Sequence, residues 1–159
     1  MVNLFWPVYM NLEAEVLSLA DKIHFSDEQK DVFSIFIADL IVRCAIEIEA
    51  LSKELYKTLG GNMSPQNDDG TERDLYFDTD CLRLLNAKWH LDKKRIDVVA
   101  PNMSFHSMQT IVPLKKSDKR GTSGSKWKQA YQALKHDRYV SLKNPSIRTI
   151  CIFRNANSN

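Results

Sequence analysis

Apolar residues recur at helical spacing along most of this chain. Leu12, Val16, Leu19, Ala20 and Ile23 step by three or four, so residues 9–23 are expected to form an amphipathic helix. Ser26 followed by Gln29 matches a capping box, and Asp27 and Glu28 suit the positive end of a helix dipole. A second, longer helix is therefore expected from Ser26 to Leu59, stopped by Gly60-Gly61. Its apolar positions, Phe33, Phe36, Ile37, Leu40, Ile41, Ile48, Leu51, Leu55 and Leu59, cover a wide arc. A helix apolar over so much of its surface touches neighbours on several sides, which makes it the central one.

Beyond the glycines the periodicity stops. Residues 60–74 are rich in Gly, Asn, Asp and Pro and read as a loop. Asp78 or Thr79 is placed to cap a short helix to about Leu91, with Leu82, Leu85 and Trp89 inward. RIDVVA (95–100) and TIVPL (110–114) are β-branched runs bounded by turn formers, and predict a hairpin with a long connection. Pro113 confines the second strand to an edge. After a basic, glycine-containing loop at 115–124, Ser125 is expected to cap a last helix running to about Lys135. The expectation is a mainly α fold with a four-helix bundle-like core and a small β-hairpin insertion near 94–115. Residues 1–143 would form a single helical domain, and 144–159 a polar tail with one apolar run, Thr149 to Phe153.

Composition keeps this within ordinary globular proteins, at 159 residues, 43% hydrophobic and 26% charged. Cys44, Cys81 and Cys151 are odd in number and widely spaced, which speaks against a disulfide framework or a zinc site and fits a reducing compartment. The opening residues lack a basic flank, and no segment approaches the ~18 apolar residues of a membrane span. A cytoplasmic location without membrane contact is expected, with no metal and no cofactor. Charge adds something the pattern does not. Residues 1–80 carry 6 Lys and Arg against 16 Asp and Glu, and residues 81–159 carry 16 against 4. Such asymmetry points either to a polyanion partner or to an acidic half packed on a basic half.

The basic half is densest in KWKQAYQALKHDR, residues 126–138. At about 100° per residue, Trp127, Ala130, Tyr131 and Leu134 share one inward stripe, with Lys128 and Lys135 flanking it. His136 falls on the far side, so His136 and Arg138 cannot share a face unless the helix ends near Lys135 and the chain turns back. His136 is then the acid/base candidate, with Lys135 and Arg138 stabilising phosphoryl charge, a trio suited to metal-independent RNA cleavage. Lys126 and Lys128, with Lys115, Lys116 and Arg120 from the preceding loop, are candidate nucleic-acid contacts. The competing reading is that Asp137 holds His136 or Arg138 in a helix-end ion pair.

Two further constellations stand out. Arg83 and His90 are expected at one edge of the third helix, two turns apart. Asp39, Arg43 and Glu47 step by four along the long helix, as an intrahelical ion-pair row or as a seam meeting cations of the final helix. P-loop, dinucleotide-binding and nucleophile-elbow motifs are absent from the sequence.

RCAIEIEALSKELY on the long helix, followed far downstream by WKQAYQALKHDR, resembles the HEPN group of small helical proteins (higher eukaryotes and prokaryotes nucleotide-binding). The resemblance covers about half the chain and rests on short motifs. It implies a helical bundle that dimerises, a role in toxin–antitoxin or antiphage defence, and an endoribonuclease acting at the dimer interface. RNA or a nucleotide, a second copy of the chain, and an antitoxin or other partner protein are the partners it implies. Carried onto this sequence, the active residues would be His136, Lys135 and Arg138, with Arg43, Glu47 and Tyr131 positioning them. In place of the family's Arg-x4–6-His, the last helix carries Lys135-His136-Asp137-Arg138, and the one Arg-x6-His, Arg83 to His90, lies elsewhere. From another class comes the alternative of a non-catalytic helical module for protein–protein interaction.

Overall fold

The computed structural model describes residues 5–29, 32, 34–97, 103–106 and 110–143. Among these, α1 (Phe5–Ala20), α2 (Ile35–Thr58), α3 (Arg83–Trp89), α4 (Lys126–His136) and α5 (Arg138–Lys143) carry the architecture. Four two-residue strands complete it: β1 (Phe25–Ser26), β2 (Ile96–Asp97), β3 (Met103–Ser104) and β4 (Thr110–Ile111). The fold is mainly α with a small hairpin, as the periodicity implies. The expected tail at 144–159, and the boundary that closes the domain at 143, lie at and beyond the end of the described residues.

α2 is central and packs on α1, α3, α4 and the turn preceding α3. Its buried stripe of Ile37, Ala38, Ile41 and Ala45 meets Leu19 and Ala20 of α1, Leu82 and Leu85, and Trp127, Tyr131 and Leu134 of α4 in one apolar cluster. Its C-terminal stop is a Schellman motif: the Gly61 amide donates to the Tyr56 carbonyl at 2.9 Å and the Gly60 amide to Lys57 at 3.0 Å. Gly60 takes φ +77°, where a side chain would be strained.

The N-terminal start of α2 differs from expectation. Among the described residues, Ser26 caps no helix. Phe25 and Ser26 are buried in a parallel pairing with Met103 and Ser104, and α2 begins nine residues later, where the Ser34 hydroxyl accepts from the Phe36 amide at 3.2 Å. A capping-box match is a local signal, and the long-range strand pairing overrides it. The apolar arc of α2 is also narrower than predicted. Phe36 is 76% exposed and Leu51 lies at the surface, so the helix has an outward ridge.

The hairpin forms within the expected insertion, with Ile96 opposite Ile111 and Asp97 opposite Thr110. Pro113 falls just outside β4, and its carbonyl accepts from Trp127 Nε1 at 3.1 Å, tying the insertion to α4. Phe77–Leu82 forms a π-helical turn leading into α3, rather than a capped α-helical start. Ser125 occupies the cap position of α4, but its buried hydroxyl has no hydrogen-bond partner among the described residues. The helix runs to His136, and Asp137 (φ −145°, ψ 59°) breaks it before α5.

Candidate functional site

α4 packs its stripe as expected, with Trp127, Tyr131 and Leu134 buried and Ala130 partly so. What flanks that stripe is different. Lys128 is 5% exposed and its ammonium is enclosed. Nζ donates to Asp78 Oδ2 at 2.9 Å, to the Ser117 carbonyl at 2.9 Å, and to the Lys119 carbonyl. The expectation that Lys128 is a margin cation open to nucleic acid is therefore corrected: all three ammonium protons have acceptors inside the protein. The loop 115–120 wraps back over the helix that follows it, with Lys116 at φ 61° within the bend.

Asp78 also receives Arg120, whose Nε lies 3.2 Å from Oδ1, and the Thr79 amide donates to it at 2.7 Å. Burial alone would raise this carboxyl, but the Lys128 bond, the Thr79 amide and the nearby guanidinium hold it below the usual carboxylate range. Lys128 is displaced downward too, burial outweighing Asp78, with the like-charged Arg120 adding to the loss. The asymmetry has a simple origin: the acid is served by two cations and an amide, while the ammonium shares its acid with a competitor.

Arg120 stacks 3.6 Å above the Tyr76 ring, with Arg73 at 5.0 Å from the same ring. Arg73 in turn grips Asp80 through two bonds of 2.7 and 2.9 Å, which lowers the Asp80 carboxyl. Arg120 thus has intramolecular partners, although it remains half exposed. Sequence reasoning took Asp78 as a helix cap and missed this network. The legible signal was FDTD itself, two acids two residues apart beside Arg73 and ahead of a basic half. Met63 and residues 72–76 line an open depression of about 650 Å³ next to it.

At the far end of α4 the break at Asp137 redirects the chain after His136. Arg138, at the start of α5, reaches across to Asp39 of α2 in a close ion pair. His136 is exposed and its ring contacts the Gln132 amide oxygen at 3.1 Å. Lys135 is exposed, its ammonium 5.8 Å from the Tyr131 ring centre. The proposed trio is not assembled: Arg138 faces α2 while His136 and Lys135 stand out from α4. Lys126, Lys135 and Lys116 are exposed and form no salt bridge among the described residues, and Lys115 is half-buried.

The row on α2 is split between neighbours. Arg43 pairs with Glu15 of α1 and donates to Asn11 Oδ1 at 2.9 Å, while Asp39 takes Arg138. Interhelical seams therefore replace the intrahelical Asp39–Arg43 pair. Glu47 is half-buried, and Tyr131 is a core residue of α4. Arg83 is the exposed first residue of α3, whereas His90 has left the helix at φ 52° and closes it, its amide donating to Asn86 at 2.8 Å. Cys81 is fully buried and pushed up to about 11 by that burial, which makes it a poor nucleophile.

Among the described residues, no group of three or more His, Cys, Asp or Glu side chains is placed to hold a metal. No described helix is long and apolar enough to cross a membrane. No family model, curated protein or solved structure matches this chain.

Proposed function

We propose that the protein is a non-catalytic helical interaction module that pairs with a second copy of itself. The observation that carries this reading is the exposed patch where α5 meets the start of α2. Ile35 and Phe36, in the turn before Asp39, and Tyr139 and Val140, which follow Arg138, are all exposed, and the half-exposed Asp39–Arg138 pair joins the two segments. Large apolar side chains gathered about a neutral ion pair have the anatomy of an interface centre. The pair also makes the patch self-complementary. Under a two-fold axis, Arg138 of one copy lies against Asp39 of the other, and the reverse. Sedimentation across protein concentration tests it. The wild type is expected to associate reversibly, and Phe36→Asp to weaken association about tenfold or more. That substitution places an acid in the first turn of α2, where the dipole favours it, so folding is retained. A wild type that stays monomeric at every concentration, or a Phe36→Asp variant that associates as well as the wild type, sinks this reading.

The second reading is HEPN-like RNA binding or metal-independent RNA cleavage in prokaryotic defence, with an antitoxin as the partner protein. Lys116, Lys126, Lys135 and His136 favour it, being exposed and without salt bridges among the described residues. They are spread along the helix and loop rather than gathered, and Lys128 is lost to the interior, so this reading stands second. Affinity for single-stranded RNA should then fall with salt at a slope of about −0.7 per phosphate contact. Cleavage at the wild-type rate by His136→Ala would remove the catalytic assignment.

A further inference from the structure

α1 buries little of its apolar surface. Of its 16 residues only Leu19 and Ala20 are buried, while Trp6 is 59%, Tyr9 51%, Met10 45% and Leu17 43% exposed. At about 100° per residue these four and the exposed Ala14 share an arc of about 140°. Val16 and Leu19, which pack on the core, fall outside that arc. Trp6 and Leu17 lie about 16 Å apart along the axis, so the stripe runs for three turns. Its wide end is stiffened by the Trp6 and Tyr9 rings, which stack with centres 5.3 Å apart. Single apolar residues at a surface need no account, but a continuous stripe of them marks a contact.

The charges on this face are all of one sign. α1 carries Glu13 and Glu15 and no Lys, Arg or His. Glu15 is turned to Arg43 of α2, whereas Glu13 lies inside the exposed arc, where the Tyr9 hydroxyl donates to it at 3.2 Å. Asp21, exposed one turn beyond Leu17, extends the same face, its amide donating to the Leu17 carbonyl at 3.1 Å. Lys22 falls outside the arc. A stripe edged by acids and lacking cations selects its occupant by charge. A second copy of α1 laid on it would bring acids to acids, whereas a helix with cations beside its apolar anchors answers both features.

We propose that the exposed face of α1 is a docking surface for a basic amphipathic helix of a partner protein. Apolar side chains of that helix, one or two turns apart, lie against Trp6, Met10 and Leu17, where the flexible thioether adapts to their shape. Its lysines or arginines reach Glu13 and Asp21. No residue of the Phe36 patch takes part, so the surface goes beyond self-association and serves a different protein.

The probe is a peptide of about 18 residues, long enough to span α1, with a leucine stripe and lysines on its other face. Titrated calorimetrically into the full-length chain, it is expected to bind. The same peptide with glutamates for lysines should bind about tenfold more weakly. Met10→Gln together with Leu17→Gln should weaken binding of the lysine peptide about tenfold or more. Both are exposed helix positions, and glutamine is a good helix former, so folding is retained. Ile46→Gln, comparably exposed on α2, is the control and should bind as the wild type does. A wild type that takes up neither peptide, equal binding of the two peptides, a double variant that binds like the wild type, or an equal loss at Ile46→Gln each overturn the proposal. Weaker self-association of the double variant in sedimentation overturns it too, because a second copy would then be the occupant.

Discussion

Two carboxylate–cation junctions tie the last two helices to the rest of the molecule, ten residues apart in the basic partner and opposite in character. At Asp78–Lys128 the carboxylate and ammonium are both nearly buried, and every ammonium proton has an acceptor. At Asp39–Arg138 both side chains are about half in water. Burial removes the solvent that would otherwise compete for each charge, so a dry pair is costly to leave half-made, and a wet pair is not. The first junction belongs to the fold. The second stays open to solvent.

Lys128→Met breaks the contrast most severely. It leaves Asp78 buried with only the Thr79 amide and the half-exposed Arg120, and strips the Ser117 and Lys119 carbonyls of their donor. Removing one member of a buried pair costs about 3–5 kcal/mol. For a chain of this size that lowers Tm by roughly 10 °C, readable by thermal unfolding. Adding Asp78→Leu removes the stranded charge, so the double variant should be more stable than the sum of the two single losses predicts. A Lys128→Met variant within about 1 kcal/mol of wild type would show that the ammonium does not hold the loop.

Acid attacks the same junction from the other side. Asp78 and Asp80 both titrate below the ordinary carboxylate range when folded. The unfolded chain therefore binds protons first as pH falls, and the folded state loses their contribution as pH drops through the folded values. Stability should hold above about pH 4 and decline below it in urea titrations. Asp78→Asn should remove part of that decline.

The contrast also explains how much the sequence revealed. Helical periodicity located α1, most of α2, α3 and α4, because an amphipathic stripe repeats locally and is countable. The hairpin was legible from its β-branched runs. The start of α2 was not, since Ser26 carries a capping signal but is spent on a strand pairing with residues nearly eighty positions away. Lys128 and Arg138 are equally cationic in sequence, and wheel angles put both near the apolar stripe. What separates them is a loop folding back over one and a helix break turning the other outward, and neither event repeats locally. Asp78 was misread for the same reason, its partners lying forty and fifty residues downstream.

Gly124→Ala sharpens the comparison by disturbing the cage without touching a charge. A Cβ at Gly124 would sit 2.8 Å from the Lys119 carbonyl oxygen, one of the three acceptors of the Lys128 ammonium, and 3.3 Å from that of Gly121. The loop has to move, and overpacking of this kind costs about 1–3 kcal/mol. Unfolding in urea should show it as a lower midpoint at unchanged slope. A neutral outcome would mean that the loop gives way without loosening its hold on Lys128.

Arg138→Ala should have the smallest effect on stability and the most selective effect on behaviour. The pair it removes is half-exposed, and such pairs contribute about 0–1 kcal/mol, less as salt rises. Asp39, left alone on the outward ridge of α2, keeps its hydration and incurs little desolvation penalty. Thermal unfolding should therefore separate Arg138→Ala from Lys128→Met by several degrees. Self-association is a different matter. If Arg138 of one copy faces Asp39 of the other, its loss removes two cross-interface contacts from each dimer and leaves each Asp39 opposite an alanine. Sedimentation should then show weakened association, and Asp39→Arg combined with Arg138→Asp should restore it by exchanging the charges. A variant that loses stability but keeps its association would invert the assignment, making the exposed junction part of the fold and the Phe36 patch bare surface.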